Sequence, residues 1–258
     1  VNPPSKLESL DVWWHDGHRS AAANLAFDEA LVSQHDQRPV LRFYQWSQRF
    51  GEAWTMGYFQ RHAEIPFAAK AEMDKLAKLD IARRWTGGGL VCHRGDIPYT
   101  LIVPADHWLA KIPATDSYRW IHERLAASIR ESIGIAAVAQ TVCSEDIPAA
   151  PAGACFAEPV HWDVVMLESD DDPSEGKKIA GAAQRRSRGR LLHQGSVILP
   201  PGKGSESPAD ATPDWRQAFA RRLCESPDQS WTPDDELITH AAELTSSRYG
   251  ARSWRERF

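Results

Sequence analysis

Three stretches of this chain hold residues whose types and spacing suit chemistry. The first is Arg83-Arg84-Trp85-Thr86-Gly87-Gly88-Gly89-Leu90-Val91-Cys92-His93, where three successive glycines follow a strand-like run. Such a segment lets a ligand approach the backbone and meet its N–H groups, and the two arginines are candidates to hold a phosphate or carboxylate. The same composition fits a plain glycine-rich turn between strands, and the Gly-Lys-Ser/Thr ending of a P-loop is missing. The second is Gly153-Ala154-Cys155-Phe156-Ala157-Glu158-Pro159. Cys155 there is either a nucleophile with a lowered pKa or a small buried filler. The third runs from Lys177-Lys178-Ile179-Ala180-Gly181-Ala182-Ala183-Gln184 to His193-Gln194-Gly195-Ser196. Its small residues leave room beside a strand for a chain or ring, and a lysine in it could polarise a carbonyl. Lys177 to Arg190 carries six positive charges and no negative ones, which reads as a lure for an acidic partner or as a solvated hairpin.

The elements that must position these residues follow from periodicity and punctuation. Ser20 is placed to cap a helix through Asn24–Leu31, with Phe27, Ala30 and Leu31 on one face. Val40 to Trp46 is rich in β-formers, and Ala53 to Tyr58 reads as its partner strand. Pro66 opens a helix through Leu76. Leu79 to Trp85 reads as the strand feeding the glycines, and Tyr99 to Val103 as another. From Thr115 a helix carries Ile121, Leu125, Ile129 and Ser132 on one stripe, closed by Gly134. Residues 146–154 are loop-like, and 162–168, 178–187 and 191–199 read as three antiparallel strands joined by turns at 169–176 and 188–189. After a polar linker over 200–211, Thr212-Pro213-Asp214 and Thr232-Pro233-Asp234-Asp235 look like two helix starts, each capped by its threonine. The order is mixed α/β with much antiparallel sheet. It divides into a catalytic domain over 1–200 and a short C-terminal helical extension over 201–258 packed on it.

Composition narrows the classes. A net charge of −5 over 258 residues argues against general nucleic-acid affinity. Cys92, Cys143, Cys155 and Cys224 are scattered, without metal-site or disulfide-framework spacing. The start lacks an apolar leader core, and no run of about 18 apolar residues suggests a membrane span. A soluble protein of the cytoplasm is the expectation.

Taken together and in this order, the segments resemble the lipoate–protein ligase and octanoyltransferase superfamily, which includes the biotin–protein ligases. The stretch 83–93 looks like its arginine–arginine–x–threonine–glycine–glycine–glycine signature ending in histidine. Ala26 to Leu31, Leu41 to Trp46 with Met56 to Gln60, and Cys155 through Lys178–Gln184 to His193–Ser196 look like further family segments. The resemblance covers about residues 10–200. It implies a mixed, largely antiparallel sheet flanked by helices, as in class II tRNA synthetase and biotin ligase catalytic cores. It also implies an acyl chain lying beside the glycine loop.

The resemblance assigns catalysis to Cys155 and Lys178. Substrate binding goes to Arg84, Thr86, Gly87, Gly88, Gly89, His93, Gly181, Ala182, Gln184, His193 and Gly195. Two reactions fit. An octanoyltransferase takes octanoyl (or lipoyl) from acyl carrier protein, holds it on a cysteine and passes it to a lysine of a lipoyl domain, without a cofactor. The acceptor would be a 2-oxoacid dehydrogenase E2 domain or a glycine-cleavage H protein. A lipoate–protein ligase instead activates the free acid with ATP and Mg²⁺. Cys155 stands where cysteine-type octanoyltransferases carry their nucleophile, which favours the first. A non-catalytic acyl-binding homologue is the third reading. One departure stands out: the family histidine is commonly followed by aspartate, whereas Arg94 follows His93 and Asp96 lies two residues further on. Cys92 is a rival nucleophile, expected to point into a strand's core face.

Overall fold

The computed structural model describes residues 3–35, 37–47, 52–62, 79–139, 160–167, 176–200 and 215–258. The expected helix over 66–76, the loop 146–154, Cys155, all of the 169–176 turn but Gly176, nearly all of the 200–211 linker, and the helix start at 212–214 lie outside them.

Seven of the described strands form one sheet: β1 (Asp11–Arg19), β2 (Val40–Trp46), β6 (Ile97–Val103), β7 (Ala137–Ala139), β8 (Val164–Met166), β9 (Lys177–Ser187) and β10 (Arg190–Val197). Their order is β1-β2-β6-β10-β9-β8-β7, and only the β1–β2 pair is parallel. The other three, β3 (Ala53–Met56), β4 (Asp80–Arg83) and β5 (Val91–His93), make a small sheet in the order β4-β3-β5. The expected pairing of Ala53–Tyr58 with Val40–Trp46 is therefore wrong. Both edges of β2 are already taken, by β1 and β6, so β3 finds its partners in β4 and β5.

Period-two alternation decides which helices cover which face. Tyr99, Leu101 and Val103 of β6, with Leu41 and Phe43 of β2, point to one side. There they meet α3 (Ala114–Ile133) through Trp120, Ile121, Leu125 and Ile129, and α4 (Trp215–Leu223) through Trp215 and Phe219. Ahead of α3 lies a single turn, α2 (Trp108–Lys111). As expected, α3 ends at Gly134, in the left-handed region at φ 74°, with its N–H donating to the Arg130 carbonyl. On the other face Val40, Ile102 and Leu192 meet Phe27 and Leu31 of α1 (Ala21–Gln34) and Leu237 of α5 (Asp235–Leu244). Ser20 caps α1, its hydroxyl accepting from Ala23 N–H. The cap of α5 is Asp234, which accepts from Leu237 N–H, and not the expected Thr232. A π-helical turn (Thr245–Tyr249) and α6 (Arg252–Arg255) complete the chain. No described helix is long and apolar enough to cross a membrane.

A polar stitch holds α1 to the sheet. Arg42 of β2, fully buried, donates to Asp28 Oδ1 at 2.6 Å and to the Asn24 carbonyl and side-chain oxygens at 2.9 and 2.7 Å. Asp28 Oδ2 accepts from Thr100 at 2.9 Å and from Gln194 at 2.6 Å. Removing one partner of such a pair strands the other charge in the core. Asp28→Ala should lose about 3–5 kcal/mol of stability, read as a shift in the urea midpoint. A loss no larger than that of a surface Asp→Ala control would show the network to be dispensable.

Candidate functional site

The candidate residues fall into two groups, one on the glycine loop and one on β9. On the loop side, β4 delivers Arg83 and Arg84, but neither stands ready for an anion as expected. Arg83 is buried and donates to the carbonyls of Gly57, Tyr58, Gln60, Trp254 and Arg255. Arg84 donates to Thr55 and to the carbonyls of Gly87 and Gly89, at 3.0 and 2.8 Å, and so shapes the loop from within. Guanidinium N–H groups withdrawn from water need acceptors, and these backbone carbonyls supply them. Thr86 is buried as well, its hydroxyl donating to Gln194 Oε1 at 2.7 Å. The loop thus hangs from the Asp28–Gln194 stitch. Gly88 is exposed, and among the described residues nothing beyond its chain neighbours stands within 4 Å of where a Cβ on Gly87 would lie. That leaves backbone open to a ligand.

His93 closes the far side of the loop. One ring nitrogen, Nδ1, pairs with Asp96 Oδ2 at 2.7 Å, and Nε2 meets Thr55 Oγ1 at 2.7 Å. Asp96 also accepts from Ser196. Asp96 therefore supplies a carboxylate to His93, while Arg94 turns outward to pair with Glu52. Cys92 is half-buried beside Glu52, Sγ to Oε2 3.4 Å, and not in the core as expected. Burial, and next the adjoining Glu52 carboxylate, push its thiol up to about 11. That is unfavourable for a nucleophile.

The β9 side centres on Lys178. Its side chain is only 6% exposed, and Nζ lies 2.8 Å from Oδ2 of the buried Asp163. Asp163 also accepts from Val160 N–H at 2.8 Å and from the Tyr118 hydroxyl at 2.5 Å. Lys178 lies across Gly181, where an added Cβ would stand 2.6 Å from its Cε and 2.9 Å from its Nζ. Ala182 contributes backbone, its N–H donating to the Tyr118 oxygen. Gly181 and Ala182 are thus brought to the lysine. Gln184, His193 and Gly195 are not.

These last three belong to a buried chain on the α3 face. Gly195 has no side chain because the Tyr99 ring crosses it, 2.3 Å from a would-be Cβ. The Tyr99 hydroxyl then sits between His193 Nε2 at 3.1 Å and His122 Nε2 at 3.3 Å. His122 Nδ1 donates to the Trp162 carbonyl at 2.7 Å, so its Nε2 accepts from Tyr99. His193 Nε2–H then donates to Tyr99, and its Nδ1 accepts from Gln184 at 3.0 Å. Both histidines are neutral in this arrangement. Burial pulls His122 down to about 4, and burial with the neighbouring His122 pulls His193 well below the ordinary range.

The model of the lipoyl protein ligase A/B catalytic domain matches residues 20–201. The chain belongs to that family. It is similar to octanoyltransferase LipM of Bacillus subtilis, at 33% identity over 191 residues, 71% of this chain and 63% of that protein. It spans less than two thirds of the length of the curated relatives it matches, 63% for the LipM proteins of Halalkalibacterium halodurans and Bacillus subtilis. Among solved structures it is similar to a lipoate-protein ligase A bound with ATP. The TM-score is 0.70 at 23% identity, covering 97% of this chain and 99% of that one. It is also similar to a bipartite lipoate protein ligase of Thermoplasma acidophilum, described with its E2 lipoyl domain. There the TM-score is 0.64 at 22% identity, covering 98% and 97%. At these identities the structures share the fold of this family member.

Sequence reasoning missed Asp163, Tyr118 and His122. A lone acid opening the apolar run Asp163-Val164-Val165-Met166 was the available signal for the first. The two neutral histidines set a pH dependence. The unfolded chain takes up a proton at each near pH 6.5, while folded His122 does so only near 4. Stability should therefore be full above pH 6.5 and fall as pH drops toward 4, by about 3 kcal/mol for His122 alone. Urea midpoints at pH 7.5 and 5 check this: His122→Asn should lower the first and flatten the difference. An equal fall in both proteins would mean the histidine is not held neutral.

Proposed function

We propose that this family member is an octanoyltransferase. It moves an octanoyl (or lipoyl) group from acyl carrier protein through a thioester on Cys155 to a lysine of a lipoyl-accepting domain. The observation that carries this reading is the buried Lys178–Asp163 pair lying over Gly181. The octanoyltransferase relatives support the reaction, and the bipartite ligase with its E2 lipoyl domain supports the class of acceptor.

In the first step the Cys155 thiolate attacks the thioester carbonyl, and the carrier's sulfur leaves, taking up the proton that Cys155 lost. The Lys178 ammonium donates to the oxygen on which charge develops, and nearby positive charge favours the thiolate. In the second step the neutral amine of the target lysine attacks the Cys155 thioester. The cysteine sulfur leaves, and the proton of the new N–H⁺ group returns to it. Lys178 pairs with Asp163 at 2.8 Å, and the part it takes in this mechanism is charge stabilisation. Thioester to amide is downhill, and no ATP or metal is called for. An eight-carbon chain buried at about 0.8 kcal/mol per CH₂ offers roughly 5 kcal/mol for binding.

Intact mass spectrometry after mixing with octanoyl–acyl carrier protein, without ATP, tests the reaction. Octanoyl mass should appear on the protein, be absent from Cys155→Ala, and move to added lipoyl domain. Acyl transfer only from free acid with ATP and Mg²⁺, without an adduct, would make the protein a ligase. Gly181→Ala offers a second check. The new methyl would stand 2.6 Å from Lys178 Cε and 3.1 Å from Asp163 Oδ1, so the buried pair must shift, and the urea midpoint is measured alongside to show that the variant still folds. The transfer rate should fall about 100-fold through misplacement of the ammonium. An undiminished rate would show that Lys178 does not act from its place over Gly181.

A further inference from the structure

Beneath the Lys178–Asp163 pair, a single face of α3 grips the turn that carries Asp163. Tyr118 and His122 stand four residues apart on that helix and so lie on one side of it. The Tyr118 oxygen is 2.5 Å from Asp163 Oδ1 and 3.2 Å from the Ala182 carbonyl, and it accepts from Ala182 N–H at 2.8 Å. A hydroxyl has one proton, and the nearer, charged acceptor takes it. His122 holds the Trp162 carbonyl at 2.7 Å, and the Arg119 guanidinium lies 4.4 Å over the Trp162 ring. Trp162 itself sits at φ +69°, in the left-handed region that side chains other than glycine avoid. A backbone in that region persists where its surroundings over-determine it, and such strain clusters at functional sites.

We propose that Tyr118 is the positioning residue of this site: its hydroxyl locks the Asp163 carboxylate to the β9 backbone, and Asp163 thereby sets where the Lys178 ammonium lies. Among the described residues the carboxylate is anchored, besides the lysine, by Val160 N–H on Oδ2 and Tyr118 on Oδ1. With the second removed, the carboxylate can turn about its own bond and carry Nζ with it. The Tyr118 ring also packs against His122 at a tilt of 49°, with centroids 4.1 Å apart. A phenylalanine keeps that packing and loses only the lock. Among the described residues the Tyr118 hydroxyl meets Asp163 and Ala182. Its action passes through Asp163.

The inference rests on the transfer reading for its kinetics alone, so the test has two arms. The first is independent of any activity: the rate at which Lys178 is reductively methylated, read on its own peptide by mass spectrometry. Tyr118→Phe should raise that rate about tenfold or more. Tyr249→Phe should not change it, although it too deletes a buried hydroxyl donated to a carboxylate, here Glu29 at 2.6 Å. The second arm is turnover with octanoyl–carrier protein and lipoyl domain. Tyr118→Phe should lower kcat about 10- to 100-fold, the cost typical of losing an outer group that orients a reactive one, with KM near wild type and a fall in the urea midpoint comparable to that of Tyr249→Phe, whose transfer rate should not change. Lys178 methylated at the wild-type rate in Tyr118→Phe would overturn the proposal. A wild-type protein that transfers no octanoyl group would sink the transferase reading and leave the first arm standing.

Discussion

An ammonium withdrawn from water is costly unless an opposite charge and further hydrogen bonds compensate it, and Lys178 is withdrawn to this degree. Asp163 supplies the charge, but a carboxylate is costly to bury for the same reason. It is tolerated because Val160 N–H and the Tyr118 hydroxyl saturate its oxygens. The need to satisfy this one pair explains several otherwise unrelated features. These are a tryptophan held in the left-handed region, a glycine where Lys178 crosses the strand, and a helix that buries Tyr118 and His122 beside its apolar stripe.

The same rule governs the other buried cations, with a different outcome. Arg42 has its carboxylate in Asp28, whereas Arg83 and Arg84 are held largely by backbone carbonyls. Carbonyl dipoles can satisfy a planar fork of N–H donors without adding charge, which suits arginine better than lysine. The two arginines thus fix the glycine loop and the strand before it. The Asp28–Gln194–Thr86 line fastens the loop to α1, and the Tyr118–Asp163 line fastens the lysine to α3. The first line passes through β10 at Gln194, and the second reaches β9 at Lys178 and Ala182. The loop and the lysine are held from opposite faces of one sheet, with those two strands as their common floor.

Much of this was legible in the residues themselves. The helix stripes, the left-handed glycine closing α3, and the three antiparallel strands around β9 follow from local rules of capping and periodicity. The family segments fixed which residues gather near the site. What escaped depends on contacts distant in the chain. Arg83 reads as an anion ligand until the carbonyls of Trp254 and Arg255 arrive from the far end of the sequence. His193 and Gln184 lie on the family motif, yet they join the buried chain with Tyr99, and a register shift in β9 between Lys178 and Ala180 breaks the simple alternation that would put Gln184 on the lysine's face. Arg94 looked like a broken motif. The His93 pairing survives because the turn brings Asp96 to the same ring nitrogen. The β2–β3 hairpin was the natural guess for neighbouring strands, and it failed because β2 had no free edge.

The central claim is that Lys178 and Asp163 act as one unit, and a double-mutant cycle on the single-turnover transfer of octanoyl to a lipoyl domain tests it most directly. Lys178→Met and Asp163→Leu would be measured separately and together. Either change alone should slow transfer severely, and the double variant should be no slower than the worse of the two, since the second change removes nothing still working. Losses that multiply in the double variant would contradict the account and mean that the two residues serve the reaction independently.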